Sequence, residues 1–221
     1  MVGTKDKYDQ FNRGFEGEVD RHDPSIKTPK VLFLGYNRNQ TIIIDALSKK
    51  GCEIVEINEK IVSTDGYDLV ISFGYRHILS KSIIDKSKAP IINLHISYLP
   101  WNKGAHPNFW SFFDCTPSGV SIHIIDEGID TGPIIYQKYV NFSDEETTFS
   151  KTYKRLINEI EKLFISNIDN IISNNFRATA QRRQGTFHRV SDLPKELLGW
   201  DIDIKSEILR LDKIYSDKFS K

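Results

Sequence analysis

From residue 30 onward, short continuous apolar runs alternate with segments whose apolar residues recur at helical spacing. Val31-Leu32-Phe33-Leu34 ends at Gly35, residues 53–57 form a second strand candidate, residues 68–73 stop at Gly74, and residues 90–95 make a further run. Apolar runs bounded by glycine or proline predict strands buried on both faces of a parallel sheet. Between the first two, residues 41–50 carry Ile43, Ile44 and Leu47 at helical spacing and finish at Gly51, a natural helix C-terminus. Residues 119–125 and 133–140 predict two more strands, the second marked by Ile134, Tyr136 and Tyr139. Residues 147–172 then repeat Phe149, Tyr153, Leu156, Ile160, Leu163, Phe164 and Ile168 near the helical period, predicting one long helix laid on the sheet.

This alternation predicts an α/β fold: a Rossmann-like, mostly parallel sheet with helices on both faces, joined by right-handed crossovers, with ligands bound beyond the carboxyl ends of the strands. The turn Gly35-Tyr36-Asn37-Arg38-Asn39 lacks the GxGxxG dinucleotide fingerprint, and no GxxxxGK[ST] occurs, which disfavours a nicotinamide or ATP enzyme. Residues 1–29 are polar with weak periodicity and predict an N-terminal extension. Residues 30–175 form the predicted catalytic domain, and the mixed, charged residues 176–221 a small C-terminal appendage.

A length of 221 residues with 39% hydrophobic and 11% aromatic content suffices for one sizeable core. Thirty basic residues balance thirty acidic ones, so no net field favours nucleic acid or an anionic membrane as partner. Cys52 and Cys115 have no metal-ligand spacing and are no disulfide framework, which points to a reducing compartment. With no apolar run of transmembrane length and no secretory signal pattern, the expected location is the cytoplasm.

The chemistry concentrates where the fourth run ends. Strand alternation puts Asn93 and His95 on one face at the edge where ligands bind. An Asn amide beside an imidazole supplies what a carbonyl under attack needs, donors aimed at the developing oxyanion. His95 serves equally as a cationic donor or as acceptor of a nucleophile's proton. An Asn and a His at a strand end also occur as a satisfied structural pair. His106 and His123 could be drawn with His95 as a zinc set, but the spacing matches no zinc signature and no metal is expected.

Asn93, His95, Ser97, Leu99, Pro100, Gly104 and Pro107, followed by the loop from Gly119 to Ile135 that carries Asp130, resemble the folate-dependent formyltransferase family over residues 30–172. The resemblance implies the formyltransferase fold and a formyl donor, 10-formyltetrahydrofolate. It implies Asn93 and His95 around the formyl carbonyl, with Asp130 positioning a water and the imidazole. In Gly-Ile-Asp-Thr-Gly the same Asp130 would also suit a turn that bonds its own backbone. The implied folate pocket comprises His77, Ile78 and Leu79 with Ile125, Asp126, Glu127, Gly128 and Ile129, largely through backbone groups.

Members that formylate initiator tRNA carry a further nucleic-acid-binding domain, whereas only a short mixed segment follows the long helix here. Purine-pathway members place a Gly/Ser/Asn phosphate turn after the first strand, a pattern that residues 35–39 do not follow. The chain looks most like the small sugar-nucleotide N-formyltransferases, which modify amines of nucleotide-linked amino-dideoxy sugars such as dTDP-4-amino-4,6-dideoxyglucose for lipopolysaccharide and other surface polysaccharides. In that setting Trp101 stacks on sugar or base, Lys103 meets a phosphate, and residues 187–200 supply a homodimer contact. The rival assignments are a formyltetrahydrofolate hydrolase, a purine-pathway formyltransferase and a non-catalytic nucleotide-binding protein.

Overall fold

The apolar runs become strands in the computed structural model, which describes residues 27–219. The extension expected over residues 1–29 therefore lies outside the described residues except for its last three. In chain order the elements are β1 (Lys30–Gly35), α1 (Ile43–Lys49), β2 (Glu53–Ile57), β3 (Leu69–Phe73), α2 (Lys81–Lys86), β4 (Ile91–His95), β5 (Lys103–Gly104), α3 (Pro107–Phe113), β6 (Gly119–Ile124), β7 (Ile134–Tyr139), α4 (Phe149–Ser166), α5 (Ile168–Ile172), β8 (Phe187–His188) and α6 (Ile204–Phe219). The main sheet runs β2-β1-β3-β4-β6-β7, parallel from β2 to β4 and antiparallel across β6 and β7. The expected mostly parallel α/β sheet is thus present.

Alternation along β1 divides the core between the two faces. Val31 and Phe33 pack with Ile43, Ile44 and Leu47 of α1 and with Leu156, Ile160 and Phe164 of α4. Leu32 and Leu34 pack on the other face with Val70, Leu79 and Ile91, covered by Ile83 and Ile84 of α2. Each fully buried aliphatic or aromatic side chain of this kind contributes roughly 1.5–3 kcal/mol. The chain leaves β1 for β2 on one side and returns to β3 on the other, which opens a crevice at the β1/β3 switch point. Gly35 sits at its floor with φ +107°, where a Cβ would lie 2.2 Å from the Phe73 carbonyl oxygen.

The single helix expected over residues 147–172 divides at Asn167, whose side-chain amide donates to the Leu163 carbonyl at 2.8 Å and competes with the helical ladder. A third apolar cluster joins Phe109 and Trp110 of α3, Phe149 of α4, and Ile204 and Leu211 of α6. Strand β8 pairs with β5, so residues of the C-terminal segment lie directly against the loop that follows β4. Among the described residues no helix is long and apolar enough to cross a membrane.

Candidate active site

Along β4, Ile91 belongs to the second core face, and alternation returns to that face at Asn93 and His95. There the apolar layer ends and polar groups replace it. Asn93 pairs across the sheet with Ser72 of β3 and with His123 of β6, so strand register alone brings three polar side chains together. The β6/β7 register shifts between Ile122 and His123, an irregularity of the kind that re-aims a side chain beside a site.

The Asn93 amide donates to Asp130 Oδ1 at 3.2 Å and lies 3.2 Å from His123 Nε2. His123 Nδ1 lies 2.8 Å from the Ile124 carbonyl oxygen, which can only accept, so that nitrogen carries a proton. His123 Nε2 then either accepts from Asn93 or, when charged, donates to Asp130 Oδ1 at 3.3 Å. His95 Nε2 stands 3.1 Å from the Asn102 carbonyl and 3.6 Å from Asp130 Oδ2. The Gly104 amide donates to Asp130 Oδ2 at 2.8 Å. Burial alone would push the Asp130 carboxyl up, but the facing His95 charge, the His123 bond and charge, and the Gly104 amide outweigh it and hold the group below the ordinary carboxylate range.

The structure therefore brings Asn93, His95 and Asp130 together and adds His123. The turn-stabilising role falls to Asp126, which accepts from the Gly128 amide at 3.1 Å and the Thr131 hydroxyl at 2.6 Å. Asp130, at φ +54°, instead turns its carboxylate inward.

These side chains line a cleft of about 1040 Å³, at the upper end of the range for small-molecule sites and roomy enough for two ligands. One arm is lined by His77, Ile78 and Leu79 and by Ile125, Asp126, Glu127, Gly128 and Ile129. Lys81 pairs with Glu127 and ties the two loops together. Leu79 is buried among core residues, whereas Ile78 is 74% and Ile129 44% exposed along the cleft. Ile78 and Ile129 thus present two exposed branched aliphatics side by side with loop backbone along this arm.

The other arm is lined by residues that sequence reasoning missed: Tyr36, His106, Ser150, Tyr153, Arg189 and Trp200. His106 stacks on Trp200 with ring centroids 5.6 Å apart and 24° between planes, and burial pushes its imidazole down. The Tyr36 and Tyr153 hydroxyls lie 2.9 Å apart; burial, then that bond, pushes the Tyr153 phenol well above its usual range. No local spacing links these positions; an isolated Trp200 in a charged tail was the available signal. Phe187, Val190 and Trp200, within the stretch expected to form a dimer contact, also line the cleft.

Trp101 and Lys103, expected to hold substrate, are not among the residues that line this cleft. The Trp101 carbonyl accepts from the Ser97 hydroxyl, and Lys103 Nζ donates to the Gln184 carbonyl at 2.8 Å. Lys103 lines an adjoining hollow of about 510 Å³ that shares Glu127, Gly128, Ile129 and Phe187 with the cleft.

A family described as formyl transferase matches residues 28–168. The dTDP-4-amino-4,6-dideoxyglucose formyltransferase of Mycobacterium bovis is 30% identical over 141 residues, 64% of this chain and 58% of that enzyme, so the match spans little more than half of the relative's length. The methionyl-tRNA formyltransferase of Thermodesulfovibrio yellowstonii is 39% identical over 46% of this chain and 33% of its own. Among solved structures, the formyltransferase PseJ from Anoxybacillus kamchatkensis, in complex with UDP-4,6-dideoxy-4-formamido-L-AltNAc and tetrahydrofolate, is 41% identical. It superposes with a TM-score of 0.74 over 80% of this chain and 96% of its own. With more than half of its length matched and the Asn93–His95–Asp130 cluster assembled at the end of β4, this chain belongs to the formyl transferase family.

Proposed function

We propose that this protein transfers the formyl group of 10-formyltetrahydrofolate to the primary amine at C4 of a nucleoside-diphosphate-linked 4-amino-4,6-dideoxy sugar. The observation that carries the proposal is the extent of the match to PseJ. It covers 96% of that chain and reaches beyond the family core of this one, and PseJ was solved with tetrahydrofolate and a UDP-linked 4-formamido sugar. The match to the tRNA-modifying relative covers only a third of that enzyme and supports no such acceptor here. A cleft with an apolar, backbone-rich arm and an aromatic arm meeting at Asn93, His95 and Asp130 suits one folate and one sugar nucleotide held together.

Bound 10-formyltetrahydrofolate supplies an electrophilic formyl carbon. When His123 donates to Asp130, one Asn93 N–H is released to meet the formyl oxygen, where a donor contributes about a hundredfold or more in rate as negative charge develops. His95, oriented by the Asn102 carbonyl, stands where the attacking amine loses its proton, and Asp130 stabilises the imidazolium that results. A new N–C bond forms to the amine while the bond from carbon to the folate nitrogen breaks, and that nitrogen takes up a proton. Alignment of two bound substrates supplies much of the remaining rate. We further propose that the enzyme works in the cytoplasm, where a reduced folate and an activated sugar are both available, and that it works as a homodimer.

Incubation with 10-formyltetrahydrofolate and a panel of UDP- and dTDP-linked 4-amino and 3-amino sugars tests this. The expected result is a gain of one formyl group on a 4-amino sugar, with stoichiometric tetrahydrofolate. Formate released at the same rate with or without an amine would instead establish a hydrolase.

A further inference from the structure

Asp130 holds an uncommon backbone conformation within a turn that Asp126 bonds from inside the loop. Its φ of +54° lies in the left-handed region, sparsely populated by residues with a side chain. A further contact on its backbone comes from far along the chain, outside the family-matched segment. Gln181 Nε2 donates to the Asp130 carbonyl at 2.9 Å and to the Gly132 carbonyl at 2.8 Å. The opposite amide orientation would set Oε1 against two carbonyl oxygens, so the chemistry fixes which end faces the loop. In this orientation Oε1 is buried without a hydrogen-bond partner among the described residues. The backbones of Ile134 and Thr179 exchange two bonds of 2.8 Å, which sets the register that delivers Gln181.

The same strap, residues 179–188, holds the loop that orients His95. The Thr186 hydroxyl accepts from the Asn102 amide at 2.7 Å and donates to Asn102 Oδ1 at 3.0 Å. The Lys103 amide donates to the Thr186 carbonyl and the Ala105 amide to the His188 carbonyl. Asn102 in turn offers its carbonyl to His95.

We infer that Gln181 is a positioning residue for Asp130, and that residues 179–188 act as a strap that sets the Asp130 and Asn102 loops in register with Asn93 and His95. Gln181 is not among the residues lining the cleft, so it acts through Asp130 and not on substrate. Its catalytic consequence rests on the formyl-transfer function proposed above; its structural consequence does not.

Gln181→Met keeps length and volume but removes both donors, and Gln181→Glu sets a carboxylate against the two carbonyls. Both are compared with wild type by steady-state kinetics and by NMR of the free protein. Gln181→Met is expected to lower kcat about 10–100-fold, since small displacements of a reacting group cost rates of this order. KM for both substrates should stay within about twofold, as for loss of a contact realised in the transition state. In the free protein the Gly104 amide proton, bonded to Asp130, should shift upfield and exchange faster, while the Lys103 and Ala105 amides stay protected. Gln181→Glu should show the same changes, larger. An unchanged kcat, a raised KM at constant kcat, or a Gly104 amide indistinguishable from wild type overturns the inference. If wild type formylates no amino sugar, the proposed function falls, and the Gly104 response alone upholds or overturns the brace.

Discussion

Asn93 and His95 stand at the end of a strand hydrogen-bonded on both edges, between β3 and β6, with apolar layers against both faces of the sheet. Across the cleft, His106 and Trp200 meet through one ring stack, and the segment that carries Trp200 is tied down by a two-residue strand pair, scattered hydrogen bonds and an aromatic cluster. The floor inherits its geometry from a ladder in which every residue reinforces its neighbours. The roof is held by separate contacts, some local, as between Glu207 and Arg210, and others between residues distant in sequence, as in the apolar cluster with α3. A floor of this kind suits a group that must be held closely, whereas a roof built from separate contacts has less to fix its geometry.

The largest effect that would test this contrast is Phe149→Ala. Phe149 is buried and meets Phe109, Phe112 and Trp200 at the junction of roof and floor. Its loss should destabilise the protein by about 3–5 kcal/mol in urea unfolding, with proteolytic cuts appearing first within residues 176–219. Simultaneous loss of sheet and tail would mean that roof and floor are one cooperative unit. His95→Ala and Asn93→Ala should each lower kcat by about 100–1000-fold while leaving the thermal midpoint nearly unchanged; wild-type rates in either purified variant would remove the floor from the chemistry. Trp200→Ala should raise KM for the sugar nucleotide about tenfold, a difference of ~1.4 kcal/mol, and leave KM for the folate unchanged. Equal effects on both substrates would erase the division of the cleft into two arms.

The smallest effect is in pH dependence. Asp130 in the floor is depressed as described, and Glu207 in the roof is depressed by its Arg210 bond foremost, with the Leu198 amide adding to it against burial. A carboxyl that binds its proton more weakly when folded leaves the unfolded chain holding more protons at low pH, so stability is present above the unfolded value of about 4 and falls as pH drops below it. Asp130→Asn and Glu207→Gln should each make that acid slope shallower in unfolding measured from pH 6 downward. A slope unchanged in Glu207→Gln would show that its pair with Arg210 adds nothing to the roof.

The same contrast governs what was legible in the sequence. The β2 run was legible to its ends, and Gly51 closes α1 with φ +83° as a glycine beyond a helix should. Asn93 and His95 were legible because strand alternation is strict. Helix α6 was not: Ile204, Ile208, Leu211 and Tyr215 do recur at helical spacing, but they sit in a charged segment remote from the sheet pattern and gain a partner only in α3. Its start was written in Asp203, which accepts from the Ser206 amide at 2.9 Å. Trp101 and Lys103 were nominated by adjacency to the motif. The loop turns through positive φ at Asn102 and Gly104, so the Gly104 backbone, not the Lys103 side chain, meets Asp130. Strands β5 and β8 have two residues each and no periodicity to read.

Asn102 and Thr186 are 84 residues apart, and that separation is also an interval of time. At about 5–20 residues per second of synthesis, Thr186 is added roughly 4–17 s after Asn102. Late in that interval the nascent chain carries Asn93 and His95 together with β3 and β6, the strands that flank them, but not the residue that bonds the Asn102 loop. The sheet is then a scaffold without a working centre, and activity marks a chain that has been read through its strap.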